Sequence, residues 1–307
     1  MKKLIVLMMS ISLVFLAACS LQPPEWAKPS GKKDPKDLKI GLSVSTLNNP
    51  FFVSIKEGVQ KEAKAQGMKV IVVDAQNDAA KQINDVEDLI QQGVDLLLIN
   101  PTDSSAISTA VQSANSIGIP VVTLDRSADK GDVATLVSSD NEKGGEMAAD
   151  YLIKELGEGT KVAELEGVPG ASATRERGKG FHNLADDKLD VAAKQTANFD
   201  RTQGLNTMEN ILQGNPDIKA VFAHNDEMAL GAQQAIQSSG RDVLVVGFDG
   251  NEDALKSIEE GNLSATVAQQ PEEIGKLAVQ AGADVLNGKK VEKMIPVPLK
   301  LVTKDKE

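Results

Sequence analysis

The 307-residue chain is acidic, with 44 Asp and Glu against 33 Lys and Arg and a formal net charge of −11. That balance repels nucleic acid and anionic membrane surfaces, so neither is expected as a partner. A single cysteine cannot close an internal disulfide, and His182 and His224 have no ligand spacing to each other or to Cys19, so no metal site is expected.

The chain opens with "MKKLIVLMMSISLVFLAACS". Two lysines precede an apolar stretch that is too short and too one-sided to span a bilayer, and small residues follow it. This reads as an export signal over residues 1–18. The ending Leu16-Ala17-Ala18-Cys19 resembles a bacterial lipobox, which implies that Cys19 becomes a lipid-modified N-terminus. Two acyl chains would anchor the protein stably to the outer face of the cell membrane, and Cys19 would be its only membrane contact. Residues 19–37 are rich in Pro, Lys and Ser without apolar periodicity and read as a flexible tether, in which Trp26 is incidental.

From residue 38 onward short apolar runs alternate with amphipathic stretches. In order, the predicted strands are "KIGLSV", "KVIVVDA", "DLLLIN", "PVVTLD", "ATLVSS", "KVAELEG", "VAAKQTA", "AVFAHN", "VLVVGFD" and "SATVAQ". Helical patterns lie between most of them, such as "AAKQINDVEDLIQQG" with its stripe of Ile83, Val86, Leu89 and Ile90. Continuous apolar strands separated by helices predict parallel sheets covered on both faces. So many strands exceed one compact sheet and predict two α/β lobes, the first strand–helix cycle running to about residue 139 and the second over 140–268. A last helix, "PEEIGKLAVQAGADVLNG", and one last strand, "IPVPLKLV", remain, and they imply that the chain crosses back to the first lobe.

In open parallel sheets, ligands sit beyond the carboxyl ends of the strands. Those ends carry Asn49, Phe51 and Phe52; Asn100; Asp125 and Arg126; the segment "VPGASATRERG"; Phe199; Asn225; Asp249; and Gln269. Amides donate and accept, carboxylates accept, arginines donate in a fork, and phenylalanine faces cover C–H surfaces. A small polyhydroxylated ring, a sugar, matches that mixture. Each residue also has a plainer role open to it. Asn49 and Asn225 fit helix N-caps, Asp125 and Arg126 fit an exposed ion pair, and Asp249 fits a turn. Arg175 and Arg177 stand two apart and cannot both address one site, and spacing does not choose between them. No catalytic residue is assigned: the strand ends carry no nucleophile and there is no phosphate-loop or dinucleotide fingerprint, so neither an enzyme nor a cofactor is expected. A transcription regulator is excluded by the export signal that stands where a DNA-binding headpiece would.

Taken together, "VSTLNNPFFVS", "LLINPTDS", "IPVVTLDR", "TRERGKGF", "NFDR", "VFAHNDEMALGA" and "VVGFDG" resemble, in order and spacing, the type I periplasmic sugar-binding proteins, and among them the ribose-binding members that serve ABC importers. The resemblance implies two Rossmann-like parallel-sheet lobes joined by a three-stranded hinge. The N-terminal lobe would comprise 38–139 plus 270–298, and the C-terminal lobe 140–269 plus 299–307. It implies capture of D-ribose by hinge closure and delivery to an ABC transporter membrane permease, by a protein expected to be a monomer. Another pentose or a hexose such as allose, or a sensory role beside a chemoreceptor, is the alternative. Carried over by position, the ligand set is Asn49, Phe51, Phe52, Asn100, Asp125, Arg126, Arg177, Phe199, Asn225, Asp249 and Gln269, and this match selects Arg177 over Arg175. His224 is a departure, standing where a well-known relative has an amide.

Overall fold

Strand β1 (Lys39–Val44) shows how the chain builds its layers. Ile40, Leu42 and Val44 point to one face and Gly41 to the other, where it lies against Leu89 and Leu97. A strand covered on both sides needs this continuous apolar character. The computed structural model describes residues 34–304. The expected signal, Cys19, Trp26 and most of the tether lie outside the described residues, as do residues 305–307.

Helix α1 (Pro50–Ala65) follows β1, then β2 (Lys69–Asp74), α2 (Ala79–Gln91), β3 (Leu96–Ile99), α3 (Ser108–Ser116), β4 (Val121–Leu124) and β5 (Thr135–Ser139). The second series is α4 (Asn141–Leu156), β6 (Lys161–Glu166), α5 (Ser172–Lys188), β7 (Asp190–Thr196), α6 (Arg201–Gly214), β8 (Ala220–Ala223), α7 (Asp226–Ser239), β9 (Leu244–Asp249), α8 (Glu252–Glu259) and β10 (Ala265–Ala268). Helix α9 (Pro271–Leu286), β11 (Met294–Val297) and β12 (Lys300–Thr303) end the described chain.

Two six-stranded sheets result, ordered β11-β5-β4-β3-β1-β2 and β12-β10-β9-β8-β6-β7. Every pairing is parallel except the edge pair β10–β12. The fold is therefore α/β, two lobes of parallel-dominated sheets flanked by helices. In the first lobe, one face packs Phe51, Phe52, Ile55 and Ile274 onto Ile40, Leu98 and Val122, and the other packs Val86, Leu89 and Val111 onto Leu97 and Ile99. The second lobe repeats the scheme, with Leu152 and Phe181 on Phe222 and Phe248 and with Met208 and Met228 on Leu165 and Val221.

The run 295–302, expected as one strand, is two. β11 joins β5 in the first sheet and β12 joins β10 in the second. Pro298 between them has no N–H to continue a ladder, and the chain crosses lobes there. It crosses at three places in all, after β5, between β10 and α9, and between β11 and β12. Gln270 Nε2 donates to the Pro298 carbonyl at 3.1 Å and ties two crossings together. Helices α4 and α5 touch backbone to backbone. A Cβ at Gly145 would fall 2.2 Å from the Arg177 carbonyl, and one at Gly180 would fall 1.8 Å from that of Glu142. Only glycine permits that approach, which sets the start of α4 beside Arg177. Among the described residues, no helix is long and apolar enough to cross a membrane.

Candidate ligand-binding site

The carboxyl ends of both sheets face one cavity, lined by Asn49, Phe51, Phe52, Asp125 and Arg126 from the first lobe and Ala173, Arg177, Phe199, Asn225 and Asp249 from the second. Nine of the eleven residues taken from the sequence are there. Asn100 and Gln269 are the two that are not. Asn100 is fully buried behind the wall. Its Oδ1 accepts from the Ser45 amide and hydroxyl, and its Nδ2 donates to the Leu124 carbonyl and to Asp125 Oδ2 at 3.3 Å. Gln269 donates from Nε2 to Asp249 Oδ1 at 2.9 Å. In this geometry both amides orient a carboxylate.

Asn49 and Asn225 do two things at once. The Oδ1 of Asn49 caps α1 by accepting from the Phe51 amide, and that of Asn225 caps α7 by accepting from the Met228 amide. The cap fixes each side chain at a helix start, and the helix start is the cavity wall. Phe51 and Phe52 meet edge to face with ring centroids 5.4 Å apart, and both are packed into the first-lobe core as well as lining the cavity. Adjacent helical residues diverge, so only a helix whose first turn bridges core and cleft can use both.

Charge converges from both sides. Arg126 stands between two rings, its guanidinium carbon 5.0 Å from the Phe52 centroid and 5.1 Å from that of Phe199 in the other lobe. Its Nη1 donates to the Pro101 carbonyl, and its Nε lies 3.5 Å from Asp125 Oδ2. Arg177 lies flat on Phe248 at 3.8 Å, donates from Nε to Asn141 and from Nη1 to the His224 carbonyl, and stands 3.6 Å from Asp249 and 3.9 Å from Asp125. Arg175, by contrast, is exposed and bridges to Asp129 at the rim. Burial pushes both carboxyls up, Asp249 well above the usual carboxylate range, with Arg177 opposing at each. Burial likewise lowers the Arg126 guanidinium. Among the described residues, Asp125 Oδ1, Arg126 Nε and Gln269 Oε1 are buried with no hydrogen-bond partner. Such groups cost free energy until a polar guest reaches them.

Three of these residues sit on unusual backbone: Asp125 at φ 62°, Phe199 at φ 58° and Asp249 at φ 126°. Strain of this kind persists where surrounding structure imposes it, and it clusters at functional sites. Asp226 imposes it next to Asp249, its Oδ2 accepting from the amides of Gly250 and Asn251, both at 2.7 Å. Ala173 also lines the cavity, although nothing in its residue type marks it as a ligand neighbour. It lies in the first turn of α5, where a short side chain leaves room between the lobes.

The lobes are closed. Ser104 donates from its amide to the Gly170 carbonyl, Ser172 from its amide to Ser104 Oγ, and Ser127 from its amide to Ser172 Oγ, all within 3.1 Å. Among the described residues, no cluster of His, Cys, Asp and Glu is arranged to hold a metal ion.

Comparison with known proteins adds family and relatives. The family model for the periplasmic binding protein domain matches residues 40–290. The chain is 70% identical over 303 residues to the ribose import binding protein RbsB of Bacillus subtilis, covering 99% of each chain. It is 54% identical over 267 residues to the Escherichia coli protein of the same name, covering 86% of this chain and 90% of that one. Among solved structures, a Mycobacterium smegmatis ABC transporter solute binding protein with bound glycerol superposes with a TM-score of 0.84 at 36% identity, covering 87% of this chain and 94% of the other.

Proposed function

Because the chain belongs to the periplasmic binding protein domain family, we propose that it is the extracytoplasmic receptor of an ABC importer and that it captures D-ribose. It is a binding protein and not an enzyme. The sugar enters between open lobes, docks on one, and is buried when the other swings in about the three crossings. The observation that carries this reading is the meeting of charged and aromatic groups from both lobes in one cavity, joined to 70% identity with a ribose import binding protein.

In the captured state, Asp125 and Asp249 accept from sugar hydroxyls, Arg126 and Arg177 donate to them, Asn49 and Asn225 add polar contacts, and Phe51, Phe52 and Phe199 cover the ring. Asn100 and Gln269 hold the two carboxylates in place, and the unpartnered Gln269 Oε1 accepts from a sugar hydroxyl as well. A missing or inverted hydroxyl leaves one buried partner unpaired, at a cost of about 1–3 kcal/mol, or five- to a hundred-fold in affinity. The closed form is read by the membrane permease, which opens it and takes the sugar. Cys19 carries the lipid that keeps the receptor at the membrane surface, and the protein works as a monomer.

Thermal-shift and calorimetric titration of ligand-stripped protein against a panel of pentoses and hexoses, allose included, tests the assignment. Ribose is expected to give the largest stabilisation. A clear lead for another sugar overturns ribose and leaves the fold untouched.

A further inference from the structure

Behind Arg177 runs a chain of ionisable groups that the sugar would not touch. The His224 carbonyl accepts from Arg177 Nη1 at 2.6 Å. The His224 ring is fully buried and places Nε2 2.8 Å from Glu164 Oε1. Glu164, also fully buried, places Oε2 2.9 Å from Nε2 of His182, whose side chain is 25% exposed. Nδ1 of His182 meets Asp186 at 2.6 Å.

The partners set the protons. Both His182 nitrogens face carboxylates, and although burial and Lys194, 3.4 Å from Nε2, oppose it, Asp186 and Glu164 hold the ring above the usual imidazole range. His224 has one carboxylate, at Nε2, while among the described residues its Nδ1 is buried with no hydrogen-bond partner. Its ring is therefore the neutral Nε2–H tautomer, donating to an ionised Glu164. Burial, reinforced by Arg177, keeps His224 below the usual imidazole range despite Glu164. The charged groups facing the pair from neighbouring elements are Arg177, His182 and Asp186 on α5, Lys194 on β7 at 3.8 Å from Glu164, and Glu166 on β6.

Resting on the ribose reading, we propose that Glu164 and His224 are positioning residues for Arg177, and that protonation of His224 weakens sugar capture at acidic pH. Ionised Glu164 fixes the His224 ring, and with it the strand end whose carbonyl aims the guanidinium between Asp125 and Asp249. The bare Nδ1 is where a second proton would go. An imidazolium there sets a positive charge beside Arg177 and pushes the guanidinium off the aim that contact with the sugar requires. Capture must then expel that proton, so affinity falls on the acid side by at most about one decade per pH unit.

The test is calorimetry with ribose together with nitrogen-15 NMR of the histidine rings in the full protein. Wild type is expected to bind about tenfold more weakly near pH 5 than near pH 7.5. His224→Gln is expected to lose about threefold near neutrality and to fall less steeply than wild type toward acid, since an amide can reach Glu164 without titrating while Asp249, raised by burial, still protonates in that range. Glu164→Ala should lose at least tenfold at both values, and Glu164→Gln, which keeps the acceptor, should recover most of it. The ring spectrum should show His224 as the Nε2–H form, resisting protonation below the ordinary value of about 6.5. An identical pH profile in wild type and His224→Gln, or His224 titrating at the ordinary value, overturns the proposal. If wild type binds no ribose at neutral pH, the ribose reading fails by itself, and the ring spectrum then decides the Glu164–His224 pairing alone.

Discussion

Arg177 Nη2, carried by the second lobe, stands 3.9 Å from Asp125 Oδ1, carried by the first. The two are brought together only by lobe closure, and both line the cavity. Each lobe thus supplies half of an ion pair that the other completes, and a sugar hydroxyl between them can accept from one while donating to the other.

Arg177 and Arg175 should therefore separate cleanly in binding assays. Arg177→Met keeps an unbranched chain on the Phe248 face but removes every donor, and ribose affinity is expected to fall at least tenfold, about the worth of one charged hydrogen bond. Arg175→Ala breaks an exposed bridge to Asp129 and should change affinity less than about threefold. Calorimetry giving the reverse order would assign the wrong arginine to the sugar.

Asp249 trades stability for binding. Burial holds its folded pKa well above the unfolded value, so between those two values the folded protein binds more protons than the unfolded one. Stability contributed by this group is then greatest in acid and is lost as pH rises through that window. Ligand-free Asp249→Asn, still able to accept from Gln269, is expected to melt about 2–4 °C above wild type near neutrality. The gap should close toward pH ~4. Its ribose affinity should drop at least tenfold. Parallel melting curves with a constant offset at every pH would contradict the account.

Gly167 sets the position of Phe199. It is buried after β6, and a Cβ built on it would fall 2.0 Å from the Phe199 ring. Gly167→Ala is expected to push that ring toward Arg126 and into the cavity, weakening ribose binding at least tenfold with the fold retained. Circular dichroism and calorimetry on the same sample check both halves; unchanged affinity would show that the ring has room to retreat.

Much of this site could be read from strand ends because parallel sheets gather them at one edge. Asn49, Asp125, Phe199 and Asp249 stand at strand ends in the sequence and line the cavity in the fold. Position does not say where a side chain turns: Asn100 and Gln269 also stand at strand ends, yet they hydrogen-bond Asp125 and Asp249 and are not among the residues lining the cavity. The choice of Arg177 needed the family match, since helical spacing does not reveal which face of α5 meets the cleft. Ala173 carries no polar or aromatic group to mark it in the sequence, and what it supplies is space. The positive φ angles at Asp125, Phe199 and Asp249 were equally hidden, as nothing in a non-glycine residue announces them. At the C-terminal end, the apolar run 295–302 concealed a change of sheet that the missing N–H of Pro298 helps to bring about.

That late return of the chain bears on how the protein is made. The face of the first sheet carrying Ile40 and Leu42 is covered partly by Ile274, Ala278 and Val279 of α9, and β11 forms the sheet's far edge. A nascent polypeptide emerging from the ribosome has no finished N-terminal core until residues 271–297 are synthesised. A chain that must be threaded outward before it folds is kept open by its own topology.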